Sequence, residues 1–375
     1  MIIAIDASNI RAGGGLTHLK EIVNRADLGD NGIEKIVLLS NQHTLDKISS
    51  RAGIVKLSDK WLNRGMLFSF LFQIFKMNGV LKSNRVDLLF VPGGTYFGGF
   101  KPIVSMSQNM LPFERDESNR FQSWRTKLRF KILAKTQSHT FKKSKAVIYL
   151  TNYAKESIQS KLALENKSEI ISHGINLNFQ QLPKIQRSIS EYTFEQPFNF
   201  LYVSIVTAYK HQWNVAEAIL RLRKEGYPIK LQLVGSSTPE SLEKLNAVIK
   251  KDEFACIDYK GLIDYDQLDK IYKQADGFVF ASSCENQPII LIEAMSAGLP
   301  IACSDMGPMP EVLNDAGFYF NPLDVDSIYC TLKNFLENKE VRQINAEKAY
   351  NSIMNYTWKD CSEKTFELLS SFKDK

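Results

Sequence analysis

The sequence predicts an α/β protein made of two doubly wound, Rossmann-like domains facing each other across a cleft, and three observations carry that expectation. A chain of 375 residues is long for one domain and suits two of roughly 150–200 residues each. Short apolar runs alternate with helical patterns through both halves, and the alternation lapses around Leu177–Pro197, where Gln, Ser, Asn and two prolines collect. The charge divides as well. Residues 1–183 hold 26 Lys/Arg against 14 Asp/Glu, a balance of +12, and residues 184–375 hold 21 against 27, a balance of −6. Halves that differ in kind argue for separate partners.

The first strand is the apolar run Ile2–Ile5, closed by Asp6. Its start has no basic segment or cleavage site and reads as structure, not as a signal peptide. Gly13-Gly14-Gly15 and an amphipathic stretch through Leu19, Ile22 and Val23 follow. Ile36–Ser40, Val86–Val91, Ile103–Met106 and Ala146–Leu150 continue the strands of the first half. After the lapse come Phe200–Ser204, a helix over Val215–Arg223, Lys230–Gly235, Gly277–Phe280 and Pro300–Cys303. Continuous apolar runs of this length, separated by helices, predict parallel sheets covered on both faces. The boundaries drawn are a first domain over 1–180, a linker over 181–197 and a second domain over 198–357.

An apolar fraction of 44% excludes disordered and fibrous classes. The run Met66–Phe75 is about half of the ~20 residues that cross a bilayer. It reads as a buried helix, with insertion into a membrane surface as the other interpretation. Five cysteines without a C-x-x-C motif or a dense framework predict a reducing, cytoplasmic location and no disulfides. The few histidines show no metal-ligand spacing, so neither a metal nor a cofactor is expected.

The strongest chemical signal is Ser282–Pro300. A strand ends near Ala281, a loop carries Glu285, Pro288 suits a helix start, and Gly298 with Pro300 closes the helix. N–H groups near Ile289, Ile290 and Leu291, together with the helix dipole, would attract a diphosphate. Glu285 and Glu293 can accept hydrogen bonds from vicinal hydroxyls. Their plain alternative is a pair of acids that merely complement the helix N-terminus.

Glu285 and Glu293, with seven residues between them and followed by Ala294-Met295-Ser296-Ala297-Gly298-Leu299-Pro300, resemble the Glu-x7-Glu signature of retaining glycosyltransferase family 4, which has the GT-B fold. Gly261-Leu262-Ile263, Gly307–Leu313 and the turn His173-Gly174-Ile175-Asn176 match in order. Tyr356-Thr357-Trp358 and the last amphipathic stretch are similar to the terminal helix that crosses back, which joins 358–375 to the first domain. The resemblance implies that Glu285 contacts donor sugar hydroxyls, Glu293 the ribose, and Leu262 and Ile263 the base. It places Lys210 at the phosphate-binding lysine, and Ser204 and Gly235 complete the candidate donor set. Lys210 and Glu285 are the candidate catalytic residues. Where the family usually has Gly-Arg, this chain has Ser204-Ile205, so the assisting arginine is absent and Arg11 is a candidate substitute. The family reacts on the front face, the departing phosphate oxygen taking the acceptor's proton, so no protein nucleophile is required.

In the first half, Gly13, Gly14 and Gly15 would let backbone approach a sugar or phosphate, or serve simply as a turn before a helix. Gln108 and Asn109 stand where relatives often place a His-Asp pair. Both can bind hydroxyls, but neither is a good base. His173 reads as a turn residue. Arg120–Lys145 contains nine Lys/Arg and no acid, with Trp124, Leu128, Ile132 and Leu133 as an apolar stripe. Such a helix can lie on anionic lipid, or pack on its sheet through the stripe. No stacking module accompanies the charge, so nucleic acid is not an expected partner.

The expected activity is transfer of a hexose-type sugar from a UDP- or GDP-sugar to a saccharide or lipid-linked acceptor. Surface polysaccharide or glycoconjugate assembly is the expected setting, with peripheral membrane contact through residues 120–145. The alternatives are a nucleotide-sugar epimerase of the same fold and a sugar-binding scaffold that has lost catalysis.

Overall fold

A computed structural model describes residues 1–354 and 356–373, which fall into two compact units. The first comprises Met1–Phe113, Ser123–Gly174 and the chain from Tyr356 onward; the second comprises Glu114–Gln122 and Ile175–Asn355.

The first unit contains strands β1 (Ile2–Asp6), β2 (Lys35–Leu39), β3 (Ile54–Leu57), β4 (Leu88–Val91), β5 (Ile103–Met106), β6 (Ala146–Tyr149) and β7 (Lys167–Ile170). They form one sheet in the order β3-β2-β1-β4-β5-β6-β7, and every pairing is parallel. Its helices are α1 (Gly13–Arg25), α2 (Gln42–Leu45), α3 (Met66–Phe75), α4 (Met77–Ser83), α6 (Trp124–Lys143), α7 (Asn152–Leu162) and α15 (Trp358–Ser370), with α5 (Arg115–Asn119) assigned to the second unit. β1, β4, β5 and β6 are buried at every position, which is why they read as unbroken apolar runs. The last helix, α15, packs on α1: Ser362 Oγ donates to the Ile22 carbonyl at 2.9 Å, and Trp358, Phe366 and Leu369 enter the core.

The second unit contains β8 (Phe198–Val203), β9 (Ile229–Val234), β10 (Ile257–Tyr259), β11 (Gly277–Phe280), β12 (Ile301–Ser304) and β13 (Gly317–Phe320), in the order β10-β9-β8-β11-β12-β13, again all parallel. Its helices after α5 are α8 (Gln212–Lys224), α9 (Pro239–Ile249), α10 (Tyr265–Gln274), α11 (Ile289–Ser296), α12 (Met309–Leu313), α13 (Val325–Glu337) and α14 (Lys339–Ile353).

Three sequence expectations are corrected. The segment expected as a linker, 181–197, belongs to the second unit and is bonded along it. Gln181 N–H donates to the Ser296 carbonyl at 2.9 Å, and Lys184 Nζ donates to the carbonyls of Lys273 and Ala275 at 2.6 and 3.0 Å. Gly298 makes this crossing fit: at φ +63°, a Cβ there would lie 2.7 Å from the Gln181 carbonyl oxygen. Second, α3 is not a buried helix. It buries Ser69, Phe72 and Gln73 and leaves Leu67 and Phe75 67% and 70% exposed. Third, α6 packs through Phe130, Gln137, Thr140 and Phe141, and the stripe of Trp124, Leu128 and Ile132 faces outward.

Candidate functional site

In the second unit the strand order reverses between β8 and β11, and open α/β sheets bind ligands outside the carboxyl ends of their strands at such a point. Two loops begin there, 204–211 after β8 and 281–288 after β11. Lys210 from the first forms an ion pair with Glu285 from the second. The Lys210 side chain is 5% exposed, and its ammonium also lies 4.8 Å from the centre of the Phe280 ring. Glu285 Oε1 accepts a further hydrogen bond from Ser282 Oγ at 2.7 Å. Tyr202 holds both loops, donating to the Lys210 carbonyl and accepting from the Ala281 N–H at 3.2 Å. The Ser283 N–H closes the frame on the Tyr209 carbonyl at 2.9 Å. A buried charge persists only when it is paired and bonded in this manner.

Glu293 sits inside α11, buried, and is held by two phenols. Tyr272 donates to Oε2 at 3.0 Å and Tyr265 to Oε1 at 3.4 Å. Burial pushes its carboxyl up to about 7, against the pull of these two hydrogen bonds. The helix start is less open than expected. Ile289 and Leu291 N–H groups are already bonded to the Gln287 and Pro288 carbonyls at 3.0 and 2.9 Å, which narrows the diphosphate expectation to Ile290. Ile289 and Ile290 are both half-buried.

Gly235 and Ser204 meet at the ends of β9 and β8. At φ +143°, a Cβ on Gly235 would fall 2.1 Å from the Ser204 carbonyl oxygen, so only glycine fits. The Ser204 hydroxyl is buried without a partner among the described residues. Gly235 N–H donates to the Gly261 carbonyl at 2.8 Å, which fixes the start of the loop bearing Leu262 and Ile263. Leu262 is 76% exposed and Ile263 half-buried.

In the first unit, Gly13, Gly14 and Gly15 form the N-terminal turn of α1, beyond the carboxyl end of β1. Gly15 lies beside Gln108, whose Oε1 would be 3.2 Å from a Cβ there. Asn109 turns its Oδ1 back to the Leu111 N–H at 3.1 Å, an Asx turn. Arg11 donates to the Leu62 carbonyl at 3.0 Å and to Ser69 Oγ at 3.2 Å, so its guanidinium is tied to the start of α3. His173 stacks on His18 at 4.6 Å and lies tilted against Trp358 at 5.4 Å between ring centres, a packing position next to the Gly174 turn.

Sequence reasoning missed a network behind the two loops. Ser283 Oγ donates to Glu117 and lies 2.9 Å from His211 Nε2. Arg120 Nε donates to Glu117 Oε2 at 2.8 Å. Burial, then Arg120 and Lys244, press the His211 imidazole down to about 3 and keep it neutral. His211 follows Lys210 and Ser283 stands two residues before Glu285, so Glu117 braces both sides of the ion pair. Nothing in the spacing could reveal it, because Glu117 and Ser283 are 166 residues apart. Among the described residues no group of three or more His, Cys, Asp or Glu is placed to hold a metal ion.

Residues 185–352 match the family model for glycosyl transferases group 1. The chain is 32% identical over 109 residues to the O-antigen chain mannosyltransferase B of Escherichia coli, a stretch covering 29% of each protein. Aligned stretches cover between 22% and 60% of the curated relatives' own lengths. Among solved structures, sucrose-phosphate synthase from Thermosynechococcus elongatus superposes with a TM-score of 0.76 at 15% identity, over 99% of this chain and 98% of that one. Anabaena HepE in complex with UDP-glucose superposes with a TM-score of 0.66 at 14% identity, over 99% of each chain. Two parallel sheets whose orders both reverse beside their first strand, together with these superpositions, give the chain the GT-B fold, and residues 185–352 within it are similar to glycosyl transferases group 1.

Proposed function

We propose that the protein is a retaining, metal-independent hexosyltransferase that uses a UDP- or GDP-sugar and glycosylates a hydroxyl of a saccharide or lipid-linked acceptor in surface polysaccharide or glycoconjugate assembly. The observation that carries this reading is the buried Lys210–Glu285 pair at the strand-order reversal of the second unit. A departing nucleoside diphosphate needs a fixed cation in a water-poor site, and Lys210 is that cation. Glu285 then turns its carboxylate to the sugar hydroxyls, Glu293 receives the ribose, and the 261–263 loop receives the base. Ser204, Gly235 and Ile290 border the diphosphate. The acceptor oxygen bonds to the anomeric carbon on the face from which the phosphate oxygen leaves. The C–O electron pair goes with the diphosphate, which takes the acceptor's proton. Gly13–Gly15, Gln108 and Asn109 belong to the acceptor side. Ile205 supplies no second cation, so Lys210 carries more of the leaving-group charge than it would beside an arginine. HepE, solved with UDP-glucose, supports a UDP-sugar as the first donor to try.

No helix among the described residues is long and apolar enough to cross a membrane. Residues 120–145 are proposed to touch the inner face of the cytoplasmic membrane peripherally.

The test is nucleotide release from a panel of UDP- and GDP-sugars, with and without a membrane lipid extract as acceptor. Release should depend on acceptor and fall by about 10²–10³ in Glu285→Ala and Lys210→Ala. Interconversion of nucleotide sugars without release would mark an epimerase. A rise in thermal midpoint without turnover would mark a binding protein. No effect from any nucleotide sugar would sink the reading.

A further inference from the structure

We infer that the face of the first unit formed by α3 and α6 docks on an anionic lipid bilayer, with α3 as the element that enters the interface and α6 as the element that holds the headgroups. This deepens the membrane contact proposed above for residues 120–145 and rests on it. The new part is α3, which shares no sequence segment with that helix.

The two helices lie on one face of the sheet. Side chains alternate along β5, so Ile103 and Ser105 point one way and Val104 and Met106 the other. Ile103 joins the core cluster of Phe72 and Met77, from α3 and α4, whereas Val104 and Met106 belong to the opposite cluster. Ser105 Oγ accepts from the hydroxyl of Ser144, the residue that caps α6, at 2.7 Å. The loop 92–102 lies between the helices and is bonded to both. Gln73 of α3 donates to the Thr95 carbonyl at 3.3 Å and accepts from the Phe97 N–H at 3.2 Å. Thr140 of α6 accepts from the Tyr96 N–H at 2.9 Å. Phe70 sets its ring edge-on against Phe97 at 4.1 Å.

The outward sides of both helices carry large apolar groups. On α3 these are Met66, Leu67, Ile74 and Phe75, and on α6 they are Trp124, Leu128 and Ile132, all exposed. Isolated exposed apolar side chains are ordinary, but aligned sets on neighbouring helices mark an interaction surface. With 10 residues, α3 is about 15 Å long, too short to cross a bilayer and suited to lying in its interface.

Charge selects the occupant. Residues 60–86 contain Lys60, Arg64, Lys76, Lys82 and Arg85 and no acid, and residues 120–145 contain nine Lys/Arg and no acid. Lys76 is paired with Asp59 and Arg120 with Glu117, which leaves four and eight cations on the two stretches. Both stretches that build this face are therefore basic along their length. A second copy of the chain would bring like charges together across it. Bare phosphate would satisfy the cations but leave Leu67 and Phe75 in water. A surface with an anionic outer layer and an apolar interior matches both, with Arg125, Arg129, Lys131 and Lys135 at headgroup depth.

The full chain should co-sediment with vesicles of phosphatidylcholine mixed with phosphatidylglycerol and not with phosphatidylcholine alone. Its tryptophan emission should shift to the blue, and Trp124→Phe should reduce that shift. Leu67→Gln combined with Phe75→Gln should weaken partitioning at least ~10-fold while leaving the thermal midpoint in place, since both side chains are exposed. Arg125→Gln, Arg129→Gln and Lys131→Gln should each cost about fivefold and together flatten the salt dependence. Unchanged partitioning of the α3 variant beside a weakened α6 variant would overturn insertion by α3 and leave the 120–145 contact standing. Loss of neither would remove both. A dimer formed without vesicles and broken by the α3 variant would assign the face to self-association instead.

Discussion

Glu293 and the pair His18–His173 are buried side chains that answer pH in opposite directions. The Glu293 carboxyl is held up near 7 by burial, so the folded state retains a proton that the unfolded chain loses around 4.5. Its contribution is complete below 4.5 and is lost as pH rises through 7. Burial presses the His173 imidazole down to about 3 and His18 well below its ordinary range, and His18 also feels His173. Their contribution is complete above 6.5 and is lost as pH falls towards 3. Each group changes stability by about 1.4 kcal/mol per pH unit within its window. Thermal midpoints measured from pH 4.5 to 8.5 should therefore pass through a maximum near 6.5, and Glu293→Gln should remove the fall between 6.5 and 7 while steepening the rise between 4.5 and 6.5. An alkaline slope identical to that of the parent chain would show that Glu293 is not the group concerned. At this scale the sequence was informative where chemistry is concentrated in one segment. Glu285, Glu293 and the turn before Pro300 are legible because their spacing belongs to a single strand, loop and helix. Tyr272 and Tyr265 were not, since a phenol on an amphipathic helix looks the same whether it bonds a carboxylate or solvent.

Strands read from the sequence and strands missed differ by their place in the sheet. β3, β7, β10 and β13 went unread, and these are the four edge strands. β7 alternates exposed and half-buried residues, Lys167-Ser168-Glu169-Ile170, and β3 is half-buried throughout. An edge strand of a doubly wound sheet is short and partly solvated, so it lacks the apolar run that betrays an interior strand. The phase of α6 failed for a related reason. Its buried positions Phe130, Gln137, Thr140 and Phe141 include two polar side chains, and the more apolar stripe lies outside. Arg342 on α14 shows how far an element can depend on one side chain. Its guanidinium is fully buried and donates to the carbonyls of Phe335, Leu336 and Arg187 at 2.6, 2.7 and 2.6 Å and to Gln186 Oε1 at 3.1 Å. It thereby closes the end of α13 and fastens the 181–197 segment. Arg342→Met should cost about 3–5 kcal/mol, because it strands those acceptors in the interior. Arg342→Lys should recover only part, since an ammonium cannot reproduce the planar fork. Chemical denaturation followed at Trp213, the tryptophan of the second unit, would measure both.

The division of the whole molecule was legible as a change of charge and a lapse of alternation, but the path of the chain was not. It passes between the two units at 113–114, 122–123, 174–175 and 355–356. The first two passages deliver Glu117 to the loops of the second unit, and no local pattern announces that. Glu117→Ala should lower turnover about 10²-fold by releasing Ser283 and His211. Glu117→Gln should restore much of the rate, and the loss should fall on kcat more than on KM for the donor. Equal kinetics for the alanine variant would show that the ion pair holds its geometry unaided. The same four passages decide what a single cut can accomplish. A nick between Gly174 and Ile175 produces two fragments, neither of which owns all of its unit: the amino-terminal piece keeps α5, and the carboxyl-terminal piece keeps α15, whose Trp358, Phe366 and Leu369 complete the other's core. The halves should therefore stay together through gel filtration after cleavage and part only when denatured. Covalent continuity at the boundary should then be dispensable, because each fragment retains a part that the other fragment's fold requires.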